Sequence, residues 1–167
     1  MLEVGGGVGA LQLELLRAGA TRAVNVELSP EYERFAAELA RESGLEERLD
    51  RRIADFAAAP NEVEPADDVV MNRVVCCYPD VDTLVGGAAG RARRLLVMSF
   101  PRERASIRLA FAAGNIWFRV TGSAFRAFVH PTRAVVAAAE ARGLRLAHRE
   151  QGVVWQIVAL ERPAVDA

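Results

Sequence analysis

Glu3-Val4-Gly5-Gly6-Gly7-Val8-Gly9-Ala10 is the stretch that decides the fold. Residues 2–4 form a strand fragment that runs straight into glycines, and Ala10, Leu11, Leu13, Leu15 and Leu16 then carry a helical spacing that ends at Gly19. A glycine-rich turn between strand and helix is where backbone can approach a ligand closely and where helix amides point at it. Outward from this turn the pattern repeats. Residues 23–28 are an apolar run broken by Asn25 and Glu27, Ser29-Pro30 caps a second helix with Tyr32, Phe35, Ala36, Leu39 and Ala40 on it, and Gly44 ends it. Residues 52–54, 67–72 and 94–99 read as third, fourth and fifth strands with helix-forming sequence between them. Strands alternating with helices imply right-handed crossovers, so the expected fold is α/β, a doubly wound and mainly parallel sheet.

Beyond Phe100-Pro101 the rhythm changes. Residues 102–120 are helical by composition, Thr121-Gly122-Ser123 breaks them, and residues 131–142 form another helix. Two strands, 144–149 and 153–160, have only Glu150-Gln151-Gly152 between them, too little for a crossover, so they are expected to pair as a C-terminal antiparallel hairpin. The whole chain, 1–167, reads as one domain, with 102–130 as an insertion on its substrate side.

Composition narrows the function. The 167 residues are 51% hydrophobic and 26% charged, with 21 basic and 22 acidic side chains, which excludes a disordered polyanion, a basic nucleic-acid arm and a fibrous chain. Charge is sorted along the chain: residues 1–90 carry 8 Arg against 17 acids, residues 91–149 carry 12 Arg against 2. The third quarter therefore faces something anionic, or the acidic first half. Two adjacent cysteines, Cys76 and Cys77, cannot build a disulfide framework. The start lacks the basic and apolar segments of a signal peptide, and no run of 18 apolar residues occurs, so a cytoplasmic protein is expected.

Gly5, Gly7 and Ala10 satisfy the G-x-G-x-x-A dinucleotide fingerprint, for which a tight turn without a ligand is the plain alternative. Glu27 stands at the end of the second strand, about twenty residues after the glycines, where a carboxylate can accept from both hydroxyls of a ribose. A solvated strand-end charge is the competing explanation. Asp55 follows the third strand and can accept from an exocyclic amine, while Phe56 either packs on a base or belongs to the core.

Taken together these residues resemble class I S-adenosylmethionine-dependent methyltransferases, whose first motif is an acid, an apolar residue and a G-x-G-x-G loop, here Glu3-Val4-Gly5-Gly6-Gly7-Val8-Gly9. The resemblance implies a Rossmann-like fold that binds S-adenosylmethionine. It assigns Gly5, Gly7 and Gly9 to the methionine end, Glu27 to the ribose, and Asp55 with Phe56 to the adenine, while the Glu3 carboxylate suits a cationic sulfonium cofactor. Asn72 and Arg73, at the exit of the fourth strand, are second-rank cofactor contacts. A closer likeness appears in Arg73-Val-Val-Cys-Cys-Tyr78-Pro79-Asp80 and in Gly122-Ser123 followed by Arg126, Phe128 and His130, which look like the corresponding stretches of magnesium-protoporphyrin O-methyltransferases. The departures are Cys77, where that group has His, and a start inside the first strand. That start predicts a short first strand, and a site covered either by residues 102–128 or by an upstream extension.

The reaction expected is methyl transfer to a small, partly apolar acceptor, with His130 and Tyr78 as catalytic residues and His130 as the general base. A structural cap at the following proline is the other reading of His130. Cys76 and Cys77 are expected to be small buried hydrophobes, with no partners at ligand spacing, and no metal site is expected. Arg104, Arg108, Asn115 and Arg119 fall within about 60° on a helical wheel, flanked by Ile107, Phe111 and Phe118. This basic stripe suits an anionic acceptor or a membrane surface, or is a solvated face. Two rivals remain, a nicotinamide-dependent NAD(P) oxidoreductase using the same glycine loop and a non-catalytic cofactor-binding module; no nucleic acid partner is expected.

Overall fold

All seven strands join one sheet, and its central strands carry the apolar residues that pack against helices on the two faces. The computed structural model describes residues 1–164, so the last three residues of the domain expected over 1–167 lie outside the described residues. The strands are β1 (Leu2–Val4), β2 (Ala23–Glu27), β3 (Leu49–Ile53), β4 (Ala66–Asn72), β5 (Ala92–Pro101), β6 (Arg145–Gln151) and β7 (Trp155–Glu161). The helices are α1 (Ala10–Arg17), α2 (Glu33–Ser43), α3 (Val81–Arg91), α4 (Ala105–Val120) and α5 (Thr132–Glu140).

The order across the sheet is β3-β2-β1-β4-β5-β7-β6. Strands β1 to β5 pair in parallel, whereas β7 is antiparallel to both β5 and β6. The expected C-terminal hairpin is therefore present, and its second strand is the one inserted beside β5.

Strand alternation sorts side chains between the layers. Leu2, Val4 and Val26 point into the larger core with Leu84, Val85 and Ala88 of α3 and Val135 and Ala139 of α5. Between them, Ala23 faces a smaller cluster with Leu13 and Leu16 of α1. Glu3 lies directly opposite Asn25 in the β1–β2 register, so the second cluster continues toward the glycine turn as polar residues. No helix among the described residues is long and apolar enough to cross a membrane.

Two expectations need correction. β3 begins at Leu49 rather than at residue 52, because Asp50, Arg51 and Arg52 give it no apolar period although it pairs along its length with β2. The helix after β5 starts at Ala105, since residues 102–104 continue the strand edge: the Arg102 N–H donates to the Val154 carbonyl at 2.8 Å.

Candidate active site

A cleft of about 420 Å³ opens at the carboxyl ends of the parallel strands, where open α/β sheets place their ligands. Its walls include Gly5 of the glycine turn, Glu27, Leu28 and Ser29 after β2, Asp55 and Phe56 after β3, and Arg73, Cys77 and Tyr78 after β4. Phe125, from the segment after α4, closes one side. That segment is held by two hydrogen bonds between the Asn115 side chain and Ala127, Nδ2 to the carbonyl at 2.7 Å and the Ala127 N–H to Oδ1 at 2.8 Å. Phe118 meets the Phe125 ring edge-on, centroids 5.2 Å apart.

Glu27 does more than end a strand. Its Oε2 accepts from the Gly7 N–H at 2.8 Å and its Oε1 from the Ser29 N–H at 2.9 Å, and the residue is only 7% exposed. The carboxylate thus ties the glycine turn to the start of the next helix, and each oxygen keeps a further lone pair for a ligand. Asp55 is also partly engaged, with Oδ1 accepting from the Ala57 N–H at 3.0 Å. Phe56 belongs to the larger core and also lines the cleft.

Beneath the turn lies a polar layer. Glu3, Asn25 and Gln12 are each at most 2% exposed, and Glu3 Oε2, Gln12 Oε1 and both polar atoms of Asn25 lack a protein partner. A side chain on Gly6 would collide with the Asn25 amide and the Glu3 carboxyl, so these groups press directly on the loop. Arg51 joins them, donating from Nη2 to the Gly7 carbonyl at 2.9 Å and to Glu33 Oε1 at 2.7 Å. Gly7 is thereby gripped at its nitrogen by Glu27 and at its oxygen by Arg51. Sequence reading missed Arg51 because it sits among the charges of β3, whereas Asn25 was visible as a polar break in an apolar strand.

Glu3 is not a wall of the cleft, and burial decides its chemistry. Desolvation pushes its carboxyl up to about 7, against the opposing pull of the Gln12 backbone amide and the Arg51 guanidinium, with the Glu27 carboxylate adding to the rise. A carboxyl whose folded pKa lies above its unfolded value favours the fold when protonated. That contribution is complete below pH 4.5 and is lost as the pH climbs through about 7. The loss amounts to about 3 kcal/mol at roughly 1.4 kcal/mol per pKa unit. Urea unfolding at pH 5 and pH 8 should show it in the parent and not in Glu3→Gln; an equal slope in both would assign it to other groups.

The remaining expected residues divide. Tyr78 lines the cleft, and slight burial with the Asp55 and Asp80 carboxylates raises its phenol above the ordinary value. His130 does not line it; its Nε2 lies 2.9 Å from the Tyr78 carbonyl and its ring stacks on Phe128, so it braces the Tyr78 backbone. Asn72 is outside the cleft, its Oδ1 accepting from the Ser99 hydroxyl at 2.6 Å. Arg73 borders the cleft, but its guanidinium turns to the Trp155 ring, 4.8 Å from the centroid. Cys76 is buried as expected, with its thiol pushed up by Cys77 and by burial, whereas Cys77 is exposed to the cleft because the turn at residues 75–77 faces it outward. No cluster fit for a metal ion occurs among the described residues.

The basic stripe is also rearranged. Arg104 precedes α4, Arg108 lies 3.7 Å from Glu103, and Asn115 is spent on Ala127. Ile107 turns inward, and the exposed apolar residues of α4 are Leu109, Ile116, Trp117 and Val120.

A family model described as a methyltransferase domain matches residues 2–94, more than half of the chain. The chain belongs to the methyltransferase domain family. Its cofactor is S-adenosylmethionine, which sets aside the oxidoreductase alternative. Solved methyltransferases share the fold over nearly the whole chain. Magnesium protoporphyrin IX methyltransferase from Synechocystis PCC 6803, with bound S-adenosylhomocysteine, has a TM-score of 0.76 at 20% identity over 97% of this chain and 73% of that one. An O-methyltransferase family protein from Burkholderia thailandensis has a TM-score of 0.80 at 17% identity over 96% and 50%. Geranyl diphosphate C-methyltransferase from Streptomyces coelicolor A3(2) has a TM-score of 0.76 at 13% identity over 97% and 70%. A search of curated protein sequences finds no match.

The residues fit this cofactor. The methyltransferase cleft offers two carboxylates with spare lone pairs on its β2 and β3 side, suited to hydroxyls and to an amine, beside the apolar walls of Leu28, Ala54, Phe56 and Ala57.

Proposed function

We propose that this methyltransferase acts on a small, partly apolar acceptor bound between the glycine turn, Tyr78 and Phe125. The observation that carries the reading is the Glu27 carboxylate, which faces the cleft while its oxygens hold the Gly7 and Ser29 amides. In this reading Glu27 receives the ribose hydroxyls, Asp55 the adenine amine, and Phe56 and Leu28 the apolar faces. When bound, the cofactor supplies an electrophilic sulfonium methyl for in-line displacement.

The chain's own part is positioning. Gly5 gives the backbone its close approach, and Glu3 with Asn25 supports the turn from beneath. The Tyr78 phenol donates a hydrogen bond to the acceptor, and His130 positions Tyr78 through its carbonyl. Phe125, clamped by Asn115 through Ala127, shields the acceptor from water, so residues 102–130 serve as the substrate-side insertion.

Thermal denaturation tests the cofactor assignment. Saturating S-adenosylhomocysteine at about 100 times its Kd stabilises by about 2.7 kcal/mol, a rise of roughly 5 to 10 °C for a chain of this size. A flat response to it and to S-adenosylmethionine, with a shift from a nicotinamide dinucleotide, would overturn the reading.

A further inference from the structure

Arg73 is the one non-glycine residue with a left-handed backbone among the described residues, at φ 60°. For a residue with a Cβ this conformation costs on the order of 1 kcal/mol or more, and it persists only where the surroundings impose it. Here they do so at both ends of the residue. The Arg73 N–H is shared between the Ser99 carbonyl and the Ser99 hydroxyl, each at 3.0 Å, and the Arg73 carbonyl accepts from the Cys76 thiol at 3.3 Å and the Cys77 thiol at 3.5 Å.

The consequence is a direction. Arg73 leaves the end of β4 and crosses β5 to the first residue of β7, where its guanidinium lies over the Trp155 indole. A cation-π contact of this kind uses none of the guanidinium's N–H donors in a hydrogen bond to a carboxylate or carbonyl. Among the described residues no carboxylate or carbonyl accepts from the Arg73 side chain. Charge is thus sorted around the cleft: Glu27 and Asp55 stand at β2 and β3, and Arg73 borders it at the end of β4, its guanidinium reaching toward Trp155 of β7, with the rings of Tyr78 and Phe125 also lining the cleft.

We infer that the acceptor carries an anionic group, a carboxylate, phosphate or sulfonate, joined to an apolar body, and that Arg73 holds this group while Tyr78 and Phe125 receive the body. The inference rests on reading the cleft as the methyl-transfer site. It moves Arg73 from the cofactor to the acceptor. The anion is a handle and not the atom methylated, because a guanidinium-paired oxygen is a weakened nucleophile.

The test uses the protein saturated with S-adenosylhomocysteine and two fluorescent probes of similar shape, 1-anilinonaphthalene-8-sulfonate and the uncharged N-phenyl-1-naphthylamine. Arg73→Gln keeps the same backbone penalty and removes the charge. It should weaken sulfonate binding about tenfold, leave the neutral probe and S-adenosylhomocysteine within about twofold, and be partly rescued by Arg73→Lys, in line with the worth of a charged hydrogen bond. Equal weakening of both probes, unchanged sulfonate binding, no sulfonate binding by the parent, or loss of S-adenosylhomocysteine affinity in Arg73→Gln alone would each overturn the inference. Failure of the parent to bind S-adenosylhomocysteine would instead strike the methyl-transfer reading beneath it.

Discussion

Glu27→Ala is expected to weaken S-adenosylhomocysteine binding by a factor of a hundred or more and to lower the melting temperature as well. A strand-end carboxylate would cost only its bonds to the ligand, roughly 1.5 to 3 kcal/mol. The Glu27 carboxylate also accepts from the Gly7 and Ser29 amides, so its removal leaves two backbone donors without their acceptor and frees the turn that faces the ligand. Glu27→Gln separates the two parts, because its amide nitrogen cannot accept: one of the two backbone bonds survives, and the loss should fall between parent and Ala. Calorimetric titration with thermal melts of all three proteins checks this. Normal affinity in Glu27→Ala would remove Glu27 from the cofactor site, and a normal melting temperature would remove it from the loop.

The largest loss of stability is expected from Gly5→Ala. Gly5 holds φ 67°, and a Cβ there would come within 2.9 Å of the Val74 Cβ and closer still to one of its methyl groups. The backbone penalty is about 1 to 2 kcal/mol and overpacking adds about 1 to 3 kcal/mol. Together they shift the melting point by on the order of 10 °C. Val74 cannot retreat freely, since it leads into the turn at residues 75–77 that presents Cys77 and Tyr78 to the cleft. The double variant Gly5→Ala with Val74→Ala should recover the steric part and keep the backbone part. No recovery would show that the left-handed conformation alone sets the cost.

Much of this was legible in the sequence for identifiable reasons. The glycine turn, the Ser29 cap of the short 3-10 turn that leads into α2, the Gly44 helix end and the spacing from the glycines to Glu27 are local signals, each tied to a backbone conformation that only certain residues favour. The three-residue gap at 150–152 likewise left only a hairpin. Side-chain destinations were harder to read. Burial of Glu3 beneath the loop depends on its register with Asn25 one strand away, which no local pattern encodes. α4 carries apolar residues on most of its circumference, so periodicity could not tell Ile107, which is buried, from Leu109, which is not. Arg73 reads as an ordinary cation until its φ and its distance to Trp155, more than eighty positions later, are known.

The insertion of β7 between β5 and β6 has a consequence for how the chain reaches this state. Pro101 pairs with Trp155, so joining β7 to β5 closes a long loop that contains α4 and α5, whereas β6 and β7 meet across a turn of a few residues. Closing a short loop costs less entropy and happens sooner. β6 has no other strand neighbour, so the hairpin forms as a unit and docks by its β7 edge onto β5. Trp155 arrives only with that docking. During synthesis, the wall that Trp155 lends to Arg73 is therefore completed only after β7 itself has left the ribosome.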